Sequence, residues 1–468
     1  MERSEYVAAL DLGTSKMIAM AARKNEQGIL SIIDAEKINS TNCIRRGCIY
    51  NINETKDNIE HLIRQLNHKL ETPIEKVYVG IGGQSLRTKD YALKKEIDTV
   101  ITQGTIDSLL EQARGYEPPV GTVLDVVSVE YYVDGKQESV PRGISGRTIE
   151  LKCQLIIGNP SLKNNLQQSV EKAGTQIAGF FISPLATAAA VLNDTEKELG
   201  CALVEFGAGI TYVSVYRGGL LRHLVALPLG GNVIDKDICD LNVLEKNAEG
   251  LKINFGSALV DDDCEEKINA GRIDDDANSK NEIKLQTLNA VIEARIDEII
   301  ANIIEQINQS GYSSTLGAGI VITGGGAALK DLKTSLQSKS GKDVRVSSAR
   351  KTLVNQAAEI TSRLDNSTVI GLLALGKENC ARKEVVPVHK PGEDMFGNKL
   401  DEKKPKVEPP RGDRPPRGER IPPEKKEKEK KEGGSIFGTW KKNIGKKIDG
   451  LSGSLFDDEE NNKENNEE

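Results

Sequence analysis

Residues 203–216 read Leu-Val-Glu-Phe-Gly-Ala-Gly-Ile-Thr-Tyr-Val-Ser-Val-Tyr: an aliphatic strand, a glycine turn and a second strand. The same design occurs near the start of the chain. There the strand candidate Val7–Leu10 runs into Asp11-Leu-Gly-Thr-Ser-Lys16, and a second apolar run follows over Lys16–Ala22. Asp11 and Glu205 stand 194 positions apart, so the two hairpins read as an internal repeat. A turn of this kind can present backbone N–H groups, hydroxyls and an ammonium to phosphates, and Asp11 can hold Mg²⁺ through water. A third glycine turn, Ile320-Val-Ile-Thr-Gly-Gly-Gly-Ala-Ala-Leu329, leads from a strand into a helix. Its glycines let a ligand come close to the backbone. A fourth element, Glu249-Gly-Leu-Lys252, puts an acid and a base three apart. In a helix the two share a face and could clasp a ribose or flank a base. Each element alone has an ordinary explanation, because strand turns favour Asp, Gly and Thr, and exposed helices carry ion pairs. The ordered set is far more specific than any member.

Outward from these motifs, short strands alternate with helices up to about residue 380, which predicts an α/β protein. Further strand candidates are Val77–Ile81, Ala202–Phe206, Thr211–Tyr216 and Ile320–Thr323. Helix candidates are Thr55–Leu70, Ser161–Ala173, Pro184–Leu192 and Leu285–Gln309. In the last, Leu288, Ile292, Ile296, Ile299, Ile300, Ile303 and Ile307 recur at three- and four-residue steps, the stripe of an amphipathic helix. Gly311 is its expected stop.

The chain has 468 residues, 38% of them hydrophobic and only 4% aromatic, so its core must be aliphatic. No apolar run reaches the ~18 residues of a membrane span, and the first residues carry no pattern of a secretory signal. Seven scattered cysteines and four histidines form no metal-ligand spacing, so free thiols in a reducing compartment are expected. The net charge is -7, but residues 457–468 hold seven acids and one lysine, leaving the rest at -1. A nearly neutral body excludes a basic nucleic-acid binder.

The composition changes near Arg382. Residues 385–423 hold nine of the 16 prolines, and the run Glu424-Lys-Lys-Glu-Lys-Glu-Lys-Lys-Glu432 follows. With few apolar side chains to bury, residues 381–434 read as a disordered Pro/Lys/Glu linker. Residues 435–456 then form an amphipathic pattern. On a helical wheel Ile436, Phe437, Trp440, Ile444, Ile448, Leu451 and Leu455 share one sector of about 120°. Lys441, Lys442 and Lys446 point elsewhere, and Lys447, inside the sector, must snorkel. Trp440 is the chain's one tryptophan. This is the pattern of a helix lying in a membrane interface against anionic lipid, and residues 457–468 form an acidic tail beyond it.

Two phosphate hairpins, a Glu-x-x-Lys and a triple-glycine turn, in that order, resemble the actin-like ATPase superfamily. Several segments narrow this to the bacterial cell-division FtsA family: Asp11–Lys16 with its lysine, residues 77–87 leading into residues 129–158, and residues 213–238. The resemblance covers roughly residues 5–380. It implies an actin-like fold of two ribonuclease-H-like halves with an inserted subdomain. It also implies the boundaries 1–83 (completed by about 164–197 and 349–380) for the first core, 84–163 for the insert, 198–231 and 310–348 for the second core, and 232–309 for its smaller subdomain. ATP and Mg²⁺ are the implied cofactors, with the metal held through water by Asp11 and Glu205. The implied nucleotide residues are Asp11, Gly13, Thr14, Ser15, Lys16, Glu205, Gly207, Ala208, Gly209, Gly230, Gly231, Glu249, Lys252, Gly324, Gly325 and Gly326. Implied partners are the C-terminal peptide of FtsZ, further copies of the chain in an actin-like filament, later division proteins and inner-membrane lipid on the cytoplasmic side at the division site. The second loop departs from the usual D-x-G-G-G-T-x-D: Glu205 replaces the first Asp, Ala208 a Gly, Ile210 the Thr and Tyr212 the last Asp. Ser183 stands where many members place a water-orienting Glu or Gln. ATP binding with weak or absent hydrolysis is therefore expected. The competing readings are an MreB-like or pilus-assembly filament, and a sugar-kinase-type enzyme of the same superfamily.

Overall fold

The computed structural model describes residues 5–271, 282–355 and 358–382. The linker, amphipathic-helix and acidic-tail readings lie outside these residues, except for Ala381 and Arg382.

Two five-stranded arrays share one strand order. The first comprises β1 (Val7–Leu12), β2 (Lys16–Lys24), β3 (Leu30–Asn39), β6 (Lys76–Ile81) and β11 (Gln176–Ile182), arranged β11-β6-β1-β2-β3. The small hairpin β4 (Ile44–Arg45)/β5 (Cys48–Ile49) lies between β3 and β6 in the chain. The second array comprises β12 (Cys201–Phe206), β13 (Thr211–Arg217), β14 (Leu220–Leu227), β17 (Ile320–Thr323) and β18 (Val344–Val346), arranged β18-β17-β12-β13-β14. In each, the first three strands form an antiparallel meander and the fourth joins parallel to the first. This is the ribonuclease-H-like order, present twice.

The registers superpose as closely as the sequences. Asp11 faces Ile18 across β1–β2, and Glu205 faces Tyr212 across β12–β13, each shifted by the same 194 positions. The turns match as well: Gly13 N–H donates to Lys16 O at 3.0 Å, and Gly207 N–H to Ile210 O at 2.9 Å.

The insert adds β7 (Arg87–Glu96), β8 (Thr122–Val133), β9 (Lys136–Glu138), β10 (Thr148–Gly158) and α2 (Gln103–Arg114). It has its own core of Ile101, Leu109, Ile149, Leu151 and Leu155. Its sheet continues the second array through β14 and β7. Arg222 pairs with Glu130 at 2.6 Å, and the Leu224 N–H donates to Thr88 Oγ1 at 2.8 Å.

Helices α1 (Ile52–Asn67) and α3 (Pro160–Lys172) pack beside the first array. The apolar period predicts α1 over Thr55–Leu70, but the helix starts three residues earlier because the Asn51 side chain accepts the Glu54 N–H. A polar first turn leaves no mark on an apolar period. The second array carries α6 (Gly231–Cys239), α7 (Glu245–Phe255), the pair β15 (Lys267–Asn269)/β16 (Glu282–Lys284), α8 (Leu285–Gln309) and α9 (Leu332–Ser340). Every apolar residue of the predicted α8 stripe is buried. Short helices α5 (Asp194–Leu199) and α10 (Ala358–Thr361) sit in connections.

Helices α4 (Ser183–Val191) and α11 (Ser367–Leu375) cross each other, α4 leading out of β11 and into the second half, and α11 returning from it. The crossing is close: a Cβ on Gly371 would lie 1.8 Å from the Ala186 carbonyl oxygen. Only glycine fits there.

Candidate functional site

The two hairpin turns meet face to face. A Cβ on Gly209 would lie 2.8 Å from the Thr14 side chain. Ser40, at the end of β3, fixes the first turn by donating its hydroxyl to Gly13 O at 2.7 Å and its N–H to Ser15 O at 3.1 Å. Thr14 Oγ1 accepts the Gly47 N–H at 2.9 Å. The second turn is braced by the start of α6, where the N–H groups of Gly231 and Asn232 donate to Gly207 O and Ala208 O at 3.0 and 2.8 Å. Gly230 and Gly231 therefore lie directly behind Gly207 and Ala208.

The triple-glycine turn closes on the same loop. Gly324 has φ +86°, and a Cβ there would lie 2.5 Å from Phe206 O. This left-handed conformation at that separation requires glycine. Gly326 packs on the Phe206 ring, and Gly325 faces Asp365. Lys252 Nζ donates to Gly231 O at 3.0 Å and pairs with Asp235 at 2.7 Å. Glu249, one turn earlier on α7, is exposed. The lysine's partner is thus Asp235 on α6, and Glu249 is left facing solvent.

Between the hairpins stand two carboxylates. Burial pushes the Glu205 carboxyl up to about 7, and the neighbouring Asp11 adds to the rise against hydrogen bonds from Thr187 and Thr368. Burial also raises Asp11 to about 6, with Lys16 opposing and Asp365 adding to it. Thr368 donates to Glu205 Oε1 at 2.9 Å, while Glu205 Oε2 is buried with no hydrogen-bond partner. An orphaned carboxylate oxygen beside a second carboxylate suits a hard divalent cation, which would lower both values and supply the missing contact.

Several contributors escape a sequence reading. Thr187 and Thr368 come from the crossing helices α4 and α11, and their hydroxyls lie 2.9 Å apart. Asp365 receives Lys16, Lys37 and Arg363. Tyr212 Oη accepts the Gly83 N–H at 2.7 Å, linking β13 to the loop after β6. Ile210 packs against Gly47. Ser183 is buried at the start of α4, beside Gly80 and Gly82. Apart from Arg363, which stands two residues from Asp365, each of these contacts joins segments far apart in the chain, so none follows from spacing.

The same pattern is found in known proteins. The family model described as Cell division protein FtsA matches residues 202–371, and that of the SHS2 domain inserted in FtsA matches residues 84–157. The cell division protein FtsA of Porphyromonas gingivalis is 33% identical over 98% of this chain and 98% of its own length. The chain belongs to the FtsA family. The FtsA of Bacillus subtilis is 30% identical over 74% of this chain and 80% of its own, and that of Escherichia coli K12 27% over 80% and 91%. Among solved structures, a PilM–PilN type IV pilus biogenesis complex aligns with a TM-score of 0.56 at 14% identity, covering 80% of this chain and 99% of that one. That likeness is one of fold. The FtsA-family architecture here is therefore an actin-like α/β fold with the family's insert, in a protein of the cell division class.

Proposed function

We propose that this FtsA-family protein binds Mg-ATP between its two halves, assembles into actin-like filaments, and tethers the FtsZ ring to the cytoplasmic face of the inner membrane, where it helps recruit later division proteins. The observation that carries the nucleotide reading is the meeting of Thr14 with Gly209, which brings the two phosphate-type turns together beside Asp11 and Glu205. Thr14, Ser15 and Lys16 on one side and Gly207, Ala208 and Gly209 on the other would hold the phosphates. Asp11 and Glu205 would hold Mg²⁺ through water, as suits two carboxylates at the ends of the opposed strands β1 and β12. Gly324–Gly326, Gly230, Gly231, Glu249 and Lys252 would line the nucleoside end.

Hydrolysis is expected to be slow. Ser183 is a poor base, and Tyr212, where the usual loop ends in Asp, is committed to the Gly83 N–H.

No helix among the described residues is long and apolar enough to cross a membrane. Attachment is assigned to residues 435–456. Burying one large apolar side chain is worth ~1.5–3 kcal/mol and a lysine near an anionic surface ~1 kcal/mol. The glycines at 438, 445, 450 and 453 each weaken a helix by ~1 kcal/mol. One tether then binds reversibly, and a filament multiplies tethers through the linker. Depletion combined with fluorescent localisation tests the whole reading. A midcell band and undivided filamentous cells are expected; a diffuse or lateral pattern refutes the division role.

A further inference from the structure

One carboxylate in the site has three cations. Asp365 lies in the turn before α11, with its side chain only 10% exposed. Lys16, the lysine of the first hairpin, donates to its Oδ2. Arg363 grips it with two bonds, Nε to Oδ1 at 3.0 Å and Nη2 to Oδ2 at 2.8 Å. Lys37 Nζ lies 3.7 Å from Oδ2 and donates to Asn366 Oδ1 at 2.7 Å. The group is over-supplied with positive charge. Burial pulls the Lys37 ammonium below its ordinary value, and Arg363 and Lys16 add to that against the attraction of Asp365.

We propose that Asp365 is a positioning residue that holds Lys16 as a place-holder anion and releases it to the terminal phosphates of a bound nucleotide. The proposal rests on the nucleotide reading above. The exchange is chemically balanced. When Lys16 turns to phosphate, the Asp365 carboxylate keeps its bidentate guanidinium and Lys37, so no buried charge is stranded. The phosphate replaces the carboxylate as the lysine's partner, one charge-assisted bond for another. The position of Asp365 fits this role, because its Cβ lies 3.8 Å from where a Cβ on Gly325 would be, at the triple-glycine turn.

Asp365 also begins a short segment that touches both halves. Two residues on, Ser367 Oγ lies 3.0 Å from Thr323 Oγ1 on β17, and Thr368 donates to Glu205. Release of Lys16 therefore acts on the same segment that holds the second carboxylate and starts α11.

The test is equilibrium binding of ATP and of adenosine to the full chain, in Mg²⁺, for four proteins: wild type, Asp365→Asn, Lys16→Met and the double variant. Asp365→Asn removes the competing anion and tightens ATP binding by about tenfold, the scale of one charge-assisted bond, with adenosine affinity unchanged. In the Lys16→Met background the same change shifts ATP affinity by less than about twofold, because the released partner is gone. Arg363→Gln leaves the carboxylate but loosens its alternative partner, and weakens ATP by a few-fold; this arm stands if Asp365→Asn does not fold. Unchanged or weakened ATP binding in Asp365→Asn, or an equal gain with and without Lys16, overturns the exchange while leaving the nucleotide reading intact. A wild-type chain that binds no ATP overturns both.

Discussion

Glu205→Gln separates the cost of two opposed carboxylates from the rest of the fold. The substitution keeps the shape and the Oε1 acceptor that Thr368 uses at 2.9 Å, and removes only the charge. In the unfolded chain Glu205 releases its proton near 4.5, and in the folded chain near 7. Between those values the folded protein holds the extra proton, so stability falls as pH rises through the window. A raised carboxylate thus contributes no penalty below about pH 4.5 and its full penalty above about pH 7. With one pK unit worth ~1.4 kcal/mol, the penalty is about 1.4 kcal/mol at pH 5.5 and about 3.4 kcal/mol at pH 8.5. The difference, about 2 kcal/mol, is free of any constant effect of the amide. The assay is urea unfolding of wild type and Glu205→Gln at both pH values in EDTA. The stability advantage of the variant should grow by about 2 kcal/mol from pH 5.5 to pH 8.5. An advantage that is flat with pH, or that shrinks, refutes the picture of a buried, cation-seeking carboxylate.

Other outcomes follow from the same geometry. Tyr212→Phe leaves the Gly83 N–H without its acceptor, a loss of about 1–3 kcal/mol, read as faster amide exchange at Gly83. Gly371→Ala drives a methyl into the Ala186 carbonyl and abolishes soluble expression, whereas Gly250→Ala, on an exposed helix position with nothing within 4 Å, stabilises the chain by about 1 kcal/mol in thermal or urea unfolding. Trp440→Glu should reduce co-sedimentation with anionic vesicles several-fold, and deleting residues 457–468 should increase it at low salt, where the acidic tail is unscreened; undiminished binding of Trp440→Glu refutes the tether.

The repeat was legible because it lies in local sequence. The hairpins at Asp11–Lys16 and Glu205–Ile210 share the glycine at positions 13 and 207, and their turns close with the same bond. The α8 stripe was legible for a similar reason, since a 3.6-residue period leaves a direct mark on sequence. Contacts between distant segments were not. Lys252 meets Asp235 on a neighbouring helix, and nothing in Glu249-Gly-Leu-Lys252 points to that partner. Thr187 and Thr368 meet because α4 and α11 cross, and Asp365 draws in Lys16 and Lys37 from more than 300 residues away. A side chain's partner across a tertiary interface is set by packing, which one sequence does not print.

The most direct measurement is calorimetric ATP binding, with and without Mg²⁺, for wild type, Lys16→Ala and Glu205→Gln, one variant from each half. Binding that needs both hairpins predicts clear loss of affinity in Lys16→Ala, and a Mg²⁺ dependence present in wild type but lost in Glu205→Gln. ATP affinity equal to wild type in Lys16→Ala, or an unaltered Mg²⁺ dependence in Glu205→Gln, would contradict a site shared between the halves.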